Sequence, residues 1–190
     1  GLEQFDFSLS SNEDGRYEVE LPPGRWHLLI DSDSMNSGLI HTALGQVACP
    51  EGSCGMETTT AVEVAQGDAV ADQDVQLLQG VPLAGSLLDG DTTPAAPLEG
   101  FSGVTFYDSD GDWAGTGFTN QDGSFVTRFG VPAGTYFAST YRQDRRFSFS
   151  RIPPEFADEL YDDIPCLGGC DVTSGTPVVV GDTDTTPSLI

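Results

Sequence analysis

Residues 120–136 have the sequence Asn-Gln-Asp-Gly-Ser-Phe-Val-Thr-Arg-Phe-Gly-Val-Pro-Ala-Gly-Thr-Tyr, and this stretch indicates the fold most clearly. Asp122-Gly123 is a dipeptide typical of tight hairpin turns, and apolar alternation follows it. The Pro-Ala-Gly run indicates a second tight turn, after which Tyr136 and Ala138 fall on one face of a strand. Short alternating strands separated by such turns predict an antiparallel β-sandwich.

Similar landmarks occur earlier in the chain, in the same order. They are Asn12-Glu13-Asp14-Gly15-Arg16-Tyr17 against 120–125, Leu21-Pro22-Pro23-Gly24-Arg25-Trp26 against 131–136, the Cys49–Cys54 loop against the Cys166–Cys170 loop, and 60–64 against 176–180. Such self-similarity predicts two tandem modules, residues 1–79 and 80–190, with a boundary near Leu78-Gln79-Gly80. In the first module Trp26, Leu28 and Ile30 share a strand face, and Arg25 and His27 share the other. The one helix-like stretch is Pro154–Tyr161, which is long enough for a single turn.

The composition excludes several classes of protein. The chain has 190 residues, 30 of them acidic and seven basic, all seven being Arg, for a formal charge of −23. A nucleic-acid binder needs a basic face, which these residues do not supply. No apolar run approaches the roughly 20 residues of a membrane-spanning helix, and the 23 Gly and 12 Pro disfavour a helical bundle. An acidic, β-rich, turn-rich protein remains.

The negative charge is spread over both modules, so it is not an acidic tail on a neutral domain. A surface with this much like charge repels itself, and salt or bound divalent cations relieve the repulsion. Two interpretations stay open. The acid either serves solubility alone, as on a halophilic spacer, or takes part in function by holding cations.

Residues 103–111, Gly-Val-Thr-Phe-Tyr-Asp-Ser-Asp-Gly, together with 119–125 and 131–136, resemble the bacterial surface-protein B repeat. They are also similar to the carboxypeptidase regulatory-like, or transthyretin-like, domains. The likeness covers most of residues 80–190, and 10–78 through the Asp-Gly-x-Tyr and Pro-Pro-Gly-x-Trp segments only. It implies immunoglobulin-like or prealbumin-like β-sandwich modules on extracellular bacterial proteins. Some relatives bind Ca²⁺ and others are plain spacers, so the resemblance implies a mechanical or adhesive function.

The first module lacks N-terminal strands. About 40 residues precede Asn120 in the second module, but only 11 precede Asn12 in the chain as given. Gly1–Ser11 supplies about one strand where the second module has room for three, which would leave an unpaired sheet edge. Either the chain is cut from a longer array, or another copy donates strands. The simpler alternative is a small, degenerate sheet packed on the second module.

The four cysteines form one close pair in each module, Cys49 with Cys54 and Cys166 with Cys170. Four cysteines allow three pairings, and the local pairing is favoured because each pair occupies the same place in the repeat. Disulfides predict an oxidising, exported location: secreted, or on a bacterial cell surface. No signal peptide is recognisable, so export would require a processed or truncated precursor. The alternative is a zinc site made by all four thiolates, although neither spacing is the usual Cys-x-x-Cys.

The loop Asp108-Ser109-Asp110-Gly111-Asp112 is the clearest candidate for a metal site. Alternate carboxylates around a Gly let several oxygens converge on Ca²⁺, which takes six to eight of them. Oxygens from the next turn complete the predicted calcium ligand set, which is Asp108, Asp110, Asp112, Asn120 and Asp122. The alternative is an acidic hairpin turn, because Asp-Gly is turn chemistry in its own right.

Other charged segments are weaker candidates. Asp31-Ser32-Asp33 and Asp89-Gly90-Asp91 are possible further calcium loops. A second acidic patch, either an ion site, an interface or a solvated face, comprises Asp158, Glu159, Asp162 and Asp163. The basic cluster is Arg142, Arg145, Arg146 and Arg151, and it pairs either with acid on a neighbouring copy or with this acidic patch.

We expect no enzyme activity. Both histidines, His27 and His41, lie in the first module, and His27 is expected on an exposed strand face. No nucleophile-elbow, zinc-protease or phosphate-loop motif occurs. Thirty acidic residues always allow some pair for glycoside hydrolysis, but nothing distinguishes one pair from another.

The sequence therefore predicts a structural subunit of an extracellular fibre, matrix or cell-surface stalk. Calcium and local disulfides would stabilise it, and its partners would be other copies of itself, joined by strand donation or edge pairing. The alternative is a glycan- or protein-binding module of an adhesin or secreted enzyme. A glycan binder would need an exposed aromatic platform, for which Trp113 and Tyr107 are the candidates.

Overall fold

The computed structural model describes most of the chain, namely residues 8–31, 38–52, 54–90, 92–98, 103–140, 157–166, 169–181 and 188–189. Within these ranges the chain is all-β. Its helical segments there are 3-10 turns of three residues each, at Pro50–Gly52, Met56–Thr58 and Val172–Ser174. The sequence predicts a helix-like stretch at Pro154–Tyr161. For the part of it that the structure describes, residues 157–161, this prediction is wrong, because Glu159–Leu160 is a strand. Leu160 is 2% exposed, and its burial in the sheet overrides the local preference for a helix.

The first half of the chain, residues 1–79, contains short strands. They are β1 (Gly24–His27), β2 (Leu29–Ile30), β3 (Leu39–Ile40), β4 (Thr42–Ala43), β5 (Val47–Ala48), β6 (Ala61–Val64) and β7 (Leu78–Gln79). They pair as β1 with β6, as β3 with β7, and as a three-stranded sheet of order β2-β4-β5. All these pairings are antiparallel.

The second half, residues 80–190, contains the longer strands. They are β8 (Ala84–Ser86), β9 (Leu88–Asp89), β10 (Ala96–Pro97), β11 (Gly103–Tyr107), β12 (Trp113–Thr119), β13 (Ser124–Thr127), β14 (Gly134–Thr140), β15 (Glu159–Leu160), β16 (Ile164–Pro165), β17 (Val178–Val180) and β18 (Ser188–Leu189). Their main sheet has the order β16-β15-β14-β11-β12-β13-β8-β18, and β17 also pairs with β14. Strand β18 is parallel to β8, and the other pairings of this sheet are antiparallel.

The hydrophobic core lies in the second half. Alternate residues of its strands meet there, as the period-two pattern predicts for Tyr136 and Ala138, which are 5% and 4% exposed. The cluster comprises Val81, Leu83, Val104, Phe106, Ala114, Phe125, Val131, Tyr136, Ala138, Val178 and Val180. In the first half the alternation is weaker: Trp26, Leu28 and Ile30 are only partly buried, and so is His27.

The strand that follows the Pro-x-Gly turn is paired in the same way in both halves. Strand β1 pairs with β6 so that Trp26 faces Val62, and β14 pairs with β17 so that Tyr136 faces Val178. In both halves the aromatic side chain bonds back to a proline carbonyl four residues earlier. The indole N–H of Trp26 donates to the Pro22 oxygen at 3.0 Å, and the Tyr136 hydroxyl donates to the Pro132 oxygen at 2.7 Å.

The two halves also share a hairpin that leads into each disulfide. Hairpins β4–β5 and β15–β16 both enclose three-residue loops. The first cysteine of each pair follows: Cys49 N–H donates to the His41 oxygen and Cys166 N–H to the Asp158 oxygen, both at 2.8 Å. Each hairpin is anchored to the preceding strand by one matching bond, from Leu44 N–H to the Leu28 oxygen and from Tyr161 N–H to the Ala138 oxygen.

The halves differ in the strands around this shared unit. In the second half β14 lies between β15 and β11, whereas β2 ends the order β2-β4-β5 among the described strands. Residues 8–20 form the turn Asn12–Arg16 but no strand. The part of the predicted N-terminal strand that the structure describes, Ser8–Ser11, is therefore not paired as a strand, and Gly1–Phe7 lies outside the described residues.

Three glycines bring the two halves together. Gly80 N–H donates to the Gly38 oxygen at 2.7 Å, and Gly130 N–H donates to the Leu39 oxygen at 3.3 Å. A Cβ on Gly130 would lie 2.3 Å from the Gly38 oxygen, so the backbones touch directly. The aromatic ring of His41 packs on Phe129 with centroids 4.2 Å apart. The first half is therefore packed against the second at the predicted boundary.

Candidate functional site

The predicted calcium loop is a hairpin turn between β11 and β12. Asp108 Oδ1 accepts the N–H groups of Asp110 and Asp112, both at 2.9 Å, and the Asp108 N–H donates to the Asp112 oxygen at 2.8 Å. Gly111 has φ = +81°, the left-handed conformation that glycine adopts without strain. This is a type of three-residue hairpin loop that closes on a glycine. One oxygen of the Asp108 carboxylate is therefore committed to the turn.

Two further turns have the same backbone pattern. In the loop 108–112 the Gly111 N–H also donates to the Asp108 carbonyl oxygen. Asn12–Arg16 repeats all four of these hydrogen bonds, with Asn12 Oδ1 in the place of Asp108 Oδ1. The turn Asn120–Ser124 shares the two backbone bonds. Its Asp122 side chain instead accepts from the Ser124 hydroxyl and N–H, and these bonds lower the pKa of Asp122. The acidic and amide residues of all three loops therefore have a structural part in closing these turns.

The five predicted calcium ligands lie in two separate turns. Strand β12 joins these turns, and its seven residues span about 20 Å when extended. The structure therefore brings Asp108, Asp110 and Asp112 into one loop and places Asn120 and Asp122 at the far end of β12. Over the described ranges, no three His, Cys, Asp or Glu side chains gather as a metal-holding group. The carboxylates of Asp108, Asp110 and Asp112 have six oxygens, one of which the turn engages, so a carbonyl, a hydroxyl or water would have to complete the six to eight ligands of Ca²⁺ there.

A cavity of about 400 Å³ opens beside the Asp108–Asp112 loop. It lies between this loop and the first disulfide loop, and its lining includes Asp108, Asp112, Trp113, Tyr136, Pro50 and Cys54. Burial raises the pKa of Tyr136 to about 12, and the Asp108 carboxylate adds to the rise. The Tyr136 hydroxyl therefore stays protonated and keeps its bond to Pro132. The Trp113 indole N–H donates a hydrogen bond to the Thr116 hydroxyl oxygen at 3.1 Å. Carboxylate oxygens and aromatic rings thus line the same cavity, a combination that suits a hydroxyl-rich or cationic ligand.

The aromatic platform predicted from Trp113 and Tyr107 is only partly formed. Both side chains are partly buried, and of the two only Trp113 lines the cavity. Sequence reasoning did not find Tyr136 or the Cys49–Cys54 loop as lining residues. Proximity in the chain pointed to Tyr107, but Tyr107 lies opposite Phe137 of β14, so it is on the other strand face from Tyr136.

The four cysteines form two local disulfides, Cys49–Cys54 and Cys166–Cys170, with Cα–Cα distances of 4.8 and 5.4 Å. No cysteine is left free, so none is available to hold zinc as a thiolate. Cys49 is fully buried, and the 3-10 turn Pro50–Gly52 that follows it lies against β12. The first disulfide therefore fixes the loop that forms one wall of the cavity.

We expect the double variant Cys49→Ser/Cys54→Ser to lower the free energy of unfolding by about 2 kcal/mol, the loop-closure value for so short a loop. Denaturant unfolding checks this, with Cys166→Ser/Cys170→Ser as the matched control. The first variant should also expose Trp113 to fluorescence quenchers, because its loop covers the cavity, whereas the control should not. Equal quenching in both variants would contradict the described position of the loop.

A second group of titratable side chains, of which His41 is buried, lies where the two halves meet. His41 is 7% exposed, and its Nε2 is 2.7 Å from Asp31 Oδ1, although the two are not aligned as a hydrogen bond. Burial lowers the pKa of His41; Asp31 opposes this change and Arg128 adds to it. Burial also raises the pKa of Glu51, which the Thr116 N–H and Arg128 partly oppose and Asp31 reinforces. This cluster could not be predicted from the sequence, since Arg128 is far in the chain from the other members.

Because His41 is buried and its pKa is lowered, we expect the free energy of unfolding to fall in mild acid. Because its pKa is lower in the folded protein than the value of about 6.5 in an unfolded chain, its contribution is complete above pH 6.5 and is lost as the pH falls below it. Glu51 has the opposite sign, since a raised pKa favours folding at lower pH. Urea unfolding between pH 7.5 and 5.5 should therefore show a smaller loss for His41→Gln than for the unaltered chain. His27→Gln is the matched control, and an unchanged pH dependence in His41→Gln would refute the assignment.

His27 was expected on an exposed face, but it is partly buried, and its Nδ1 is 2.6 Å from the Thr59 hydroxyl. The second acidic patch, Asp158, Glu159, Asp162 and Asp163, lies on and beside hairpin β15–β16. Burial and the nearby Asp163 raise the pKa of Glu159. The basic cluster Arg142, Arg145, Arg146 and Arg151, and the residues Ser32, Asp33 and Asp91 of the weaker loops, lie outside the described residues.

Comparisons with known proteins identify no relative: no protein-family model, no curated protein and no solved structure matches the chain. Among the helices of the described ranges, none is long and apolar enough to span a membrane.

Proposed function

We propose that this chain is a structural repeat unit of an extracellular fibre, matrix or cell-surface stalk, built from two tandem immunoglobulin-like modules and without a catalytic role. Two local disulfides support an oxidising location, because such bonds persist mainly outside the cytosol. Three Asx-Gly hairpin turns and two Pro-x-Gly aromatic motifs support a duplicated, rigid β-scaffold. The resemblance to surface-protein repeats agrees with this function.

The observation that carries the proposal is that the two halves share one unit of paired strands but differ in what lies beside it. Hydrogen bonds around β14, β15 and β17 recur around β1–β2, β4 and β6, down to the anchoring bond of each hairpin. Yet β2 has no described neighbour in the place where β14 has β11. The edge of β2 with which no described strand pairs is suited to joining another copy.

The test is electron microscopy of the full chain at physiological ionic strength, together with sedimentation velocity over a range of concentrations. The proposal predicts elongated particles whose length grows with concentration. Compact particles of one size at every concentration would refute the proposal that the chain polymerises. Binding of a glycan by such particles would favour the alternative function, a ligand-binding module.

We further propose that Ca²⁺ stabilises the chain by binding at the loop Asp108–Asp112. With a net charge of −23 on 190 residues, divalent cations between neighbouring carboxylates would reduce repulsion. We expect Ca²⁺ to raise the melting temperature above that in chelator at matched ionic strength. Asp110→Asn should reduce the increase, because Asp110 lends only its backbone N–H to the turn. Asp171→Asn, in the cap of the last 3-10 turn, is the control. If Na⁺ at equal ionic strength raises the melting temperature as much as Ca²⁺ does, the acidic residues serve solubility only.

The alternative function, ligand binding by an adhesin or accessory module, is favoured by one observation. The cavity between the first disulfide loop and Asp108–Asp112 combines Trp113 and Tyr136 with two carboxylates. Glycan hydroxyls bond to carboxylates while sugar faces stack on aromatic rings. A glycan array with Trp113→Ala as the comparison tests this function separately from self-association.

A further inference from the structure

We propose that a second cavity, enclosed by the main sheet of the second half, is a binding site for an organic cation with an apolar body, such as a protonated aryl or alkyl amine. This cavity has a volume of about 330 Å³, within the range of small-molecule sites. It is separate from the cavity beside Asp108–Asp112, because the described linings of the two have no residue in common. The inference goes beyond the proposed function and does not depend on self-association.

The two ends of the main sheet form the walls of this cavity. In the strand order of that sheet four strands, β14, β11, β12 and β13, lie between β15 and β8. Nevertheless, Leu160 of β15 and Ser86 of β8 line the same cavity, together with Leu88 of β9. The sheet therefore curls until its ends face each other, as it does in small barrels that hold one ligand.

The inner wall of the cavity is apolar. It includes Val104, Phe125, Ala138 and Leu160, which are between 2% and 5% exposed and come from four different strands. Such a wall favours a ligand with an apolar body over a bare metal ion, because Ca²⁺ needs six to eight oxygen ligands that carbon atoms do not supply. In agreement, no metal-holding group of three His, Cys, Asp or Glu side chains occurs in the part of the chain that the structure describes.

The charged side chains in the described lining are all acidic: Glu159, Asp162 and Asp163. Two hydroxyls beside them are engaged by the backbone. The Thr140 hydroxyl accepts the Glu159 N–H at 2.9 Å, and the Ser139 hydroxyl donates to the Thr140 carbonyl oxygen at 3.1 Å. The three carboxylates therefore set the charge that the polar head of a ligand meets, and they select a positive head over a neutral or negative one.

The Glu159 carboxylate lacks a compensating positive charge. Burial raises its pKa, and the nearby Asp163 carboxylate adds to the rise. Within the described ranges, no arginine forms an ion pair with Glu159 or Asp163. A protonated amine over the apolar wall would supply the missing charge, and an opposite charge at this distance stabilises the ionised form of a partly desolvated carboxyl group.

The matching hairpin of the first half shows that the turn itself does not require these acids. Hairpins β4–β5 and β15–β16 enclose loops of equal length, so Gly45 and Gln46 occupy the places of Asp162 and Asp163. Both turns have the left-handed backbone, with φ of +95° and +62° in the first and +73° and +57° in the second. Aspartate adopts this conformation less readily than glycine. The Asp162 carboxylate accepts one bond, from the Thr176 hydroxyl at 3.2 Å. The acidic pair is thus additional to what closes the hairpin.

Calorimetric titration of the full chain with 2-phenylethylamine tests this inference, with 2-phenylethanol as the uncharged probe of nearly the same size. At pH 7 and matched ionic strength, we expect the amine to bind at least about tenfold more tightly than the alcohol. Glu159→Gln/Asp163→Asn should lose about tenfold of the amine affinity and keep the alcohol affinity, which reports that the cavity is intact. Glu63→Gln, which removes an exposed carboxylate on β6, is the matched control and should bind the amine as the unaltered chain does.

Nuclear Overhauser contacts between the probe and the protein locate the amine. We expect contacts with the Leu160 methyl groups, whereas contacts with the Trp113 indole alone would place the amine in the other cavity and overturn the inference. Equal affinities for amine and alcohol, or binding of neither, would also overturn it. If the double variant does not fold, Asp163→Asn alone replaces it, because asparagine tolerates the left-handed backbone. An unchanged amine affinity in that variant would contradict a role for the carboxylates.

Discussion

Phe106→Ala should lower the free energy of unfolding by about 4 kcal/mol, the usual cost of removing a buried phenylalanine. Phe106 is fully buried in β11, at the centre of the core of the second half, and its ring centroid is 6.1 Å from that of Phe125. The truncation removes apolar contact and leaves a cavity that β12 and β14, hydrogen-bonded on either side, cannot collapse to fill.

Phe118→Ala is the control for this prediction. Phe118 lies on the neighbouring strand β12 and is 38% exposed, so its truncation should cost less than about 1 kcal/mol. Urea unfolding monitored by fluorescence gives both values. Similar losses for the two variants would contradict the described core.

Gly130→Ala should be the second most damaging substitution, lowering the free energy of unfolding by about 3 kcal/mol. A Cβ on Gly130 would lie 2.3 Å from the Gly38 oxygen and 2.8 Å from the Gly80 carbonyl carbon. These are backbone atoms, so no side-chain rotation relieves the overlap, and the halves would have to separate. Loss of the His41–Phe129 packing should accompany the change.

Gly90→Ala is the matched control, since a Cβ there meets nothing within 4 Å. It should leave stability within about 0.5 kcal/mol of the unaltered chain. If Gly130→Ala unfolds in one transition at the original denaturant concentration, the two halves do not pack as described. A new early transition would show that the junction fails before the core.

The local turns of this fold could be predicted from sequence because their chemistry is local. Asp14-Gly15 and Asp122-Gly123 close hairpin turns, and Gly15 and Gly123 have φ = +76° and +77°. The hairpin at Tyr161–Asp163 gave no such signal. Its Asp162 and Asp163 have φ = +73° and +57° with no glycine, and pairing of β15 with β14 holds the chain there instead.

The candidate site could be predicted only in part, because it depends on distances across the sheet. The acidic loop Asp108–Asp112 was found from its own sequence. That Asn120 lies at the other end of β12 follows from strand length, which a motif does not specify. The wall made by Pro50 and Cys54 comes from the other half of the chain. The burial of His41 likewise depends on Phe129 and Arg128, which are more than eighty residues away.

The most direct test of the proposal that copies of this chain join one another is amide hydrogen exchange at Leu29. Since the Leu28 oxygen is directed to β4, the Leu29 N–H is directed to the other edge of β2, with which no described strand pairs. The N–H of Leu44 is bonded to the Leu28 oxygen within the chain and serves as the internal reference. We expect protection of Leu29 to rise with protein concentration, while Leu44 stays protected at every concentration. An exchange rate at Leu29 that is independent of concentration would contradict the account.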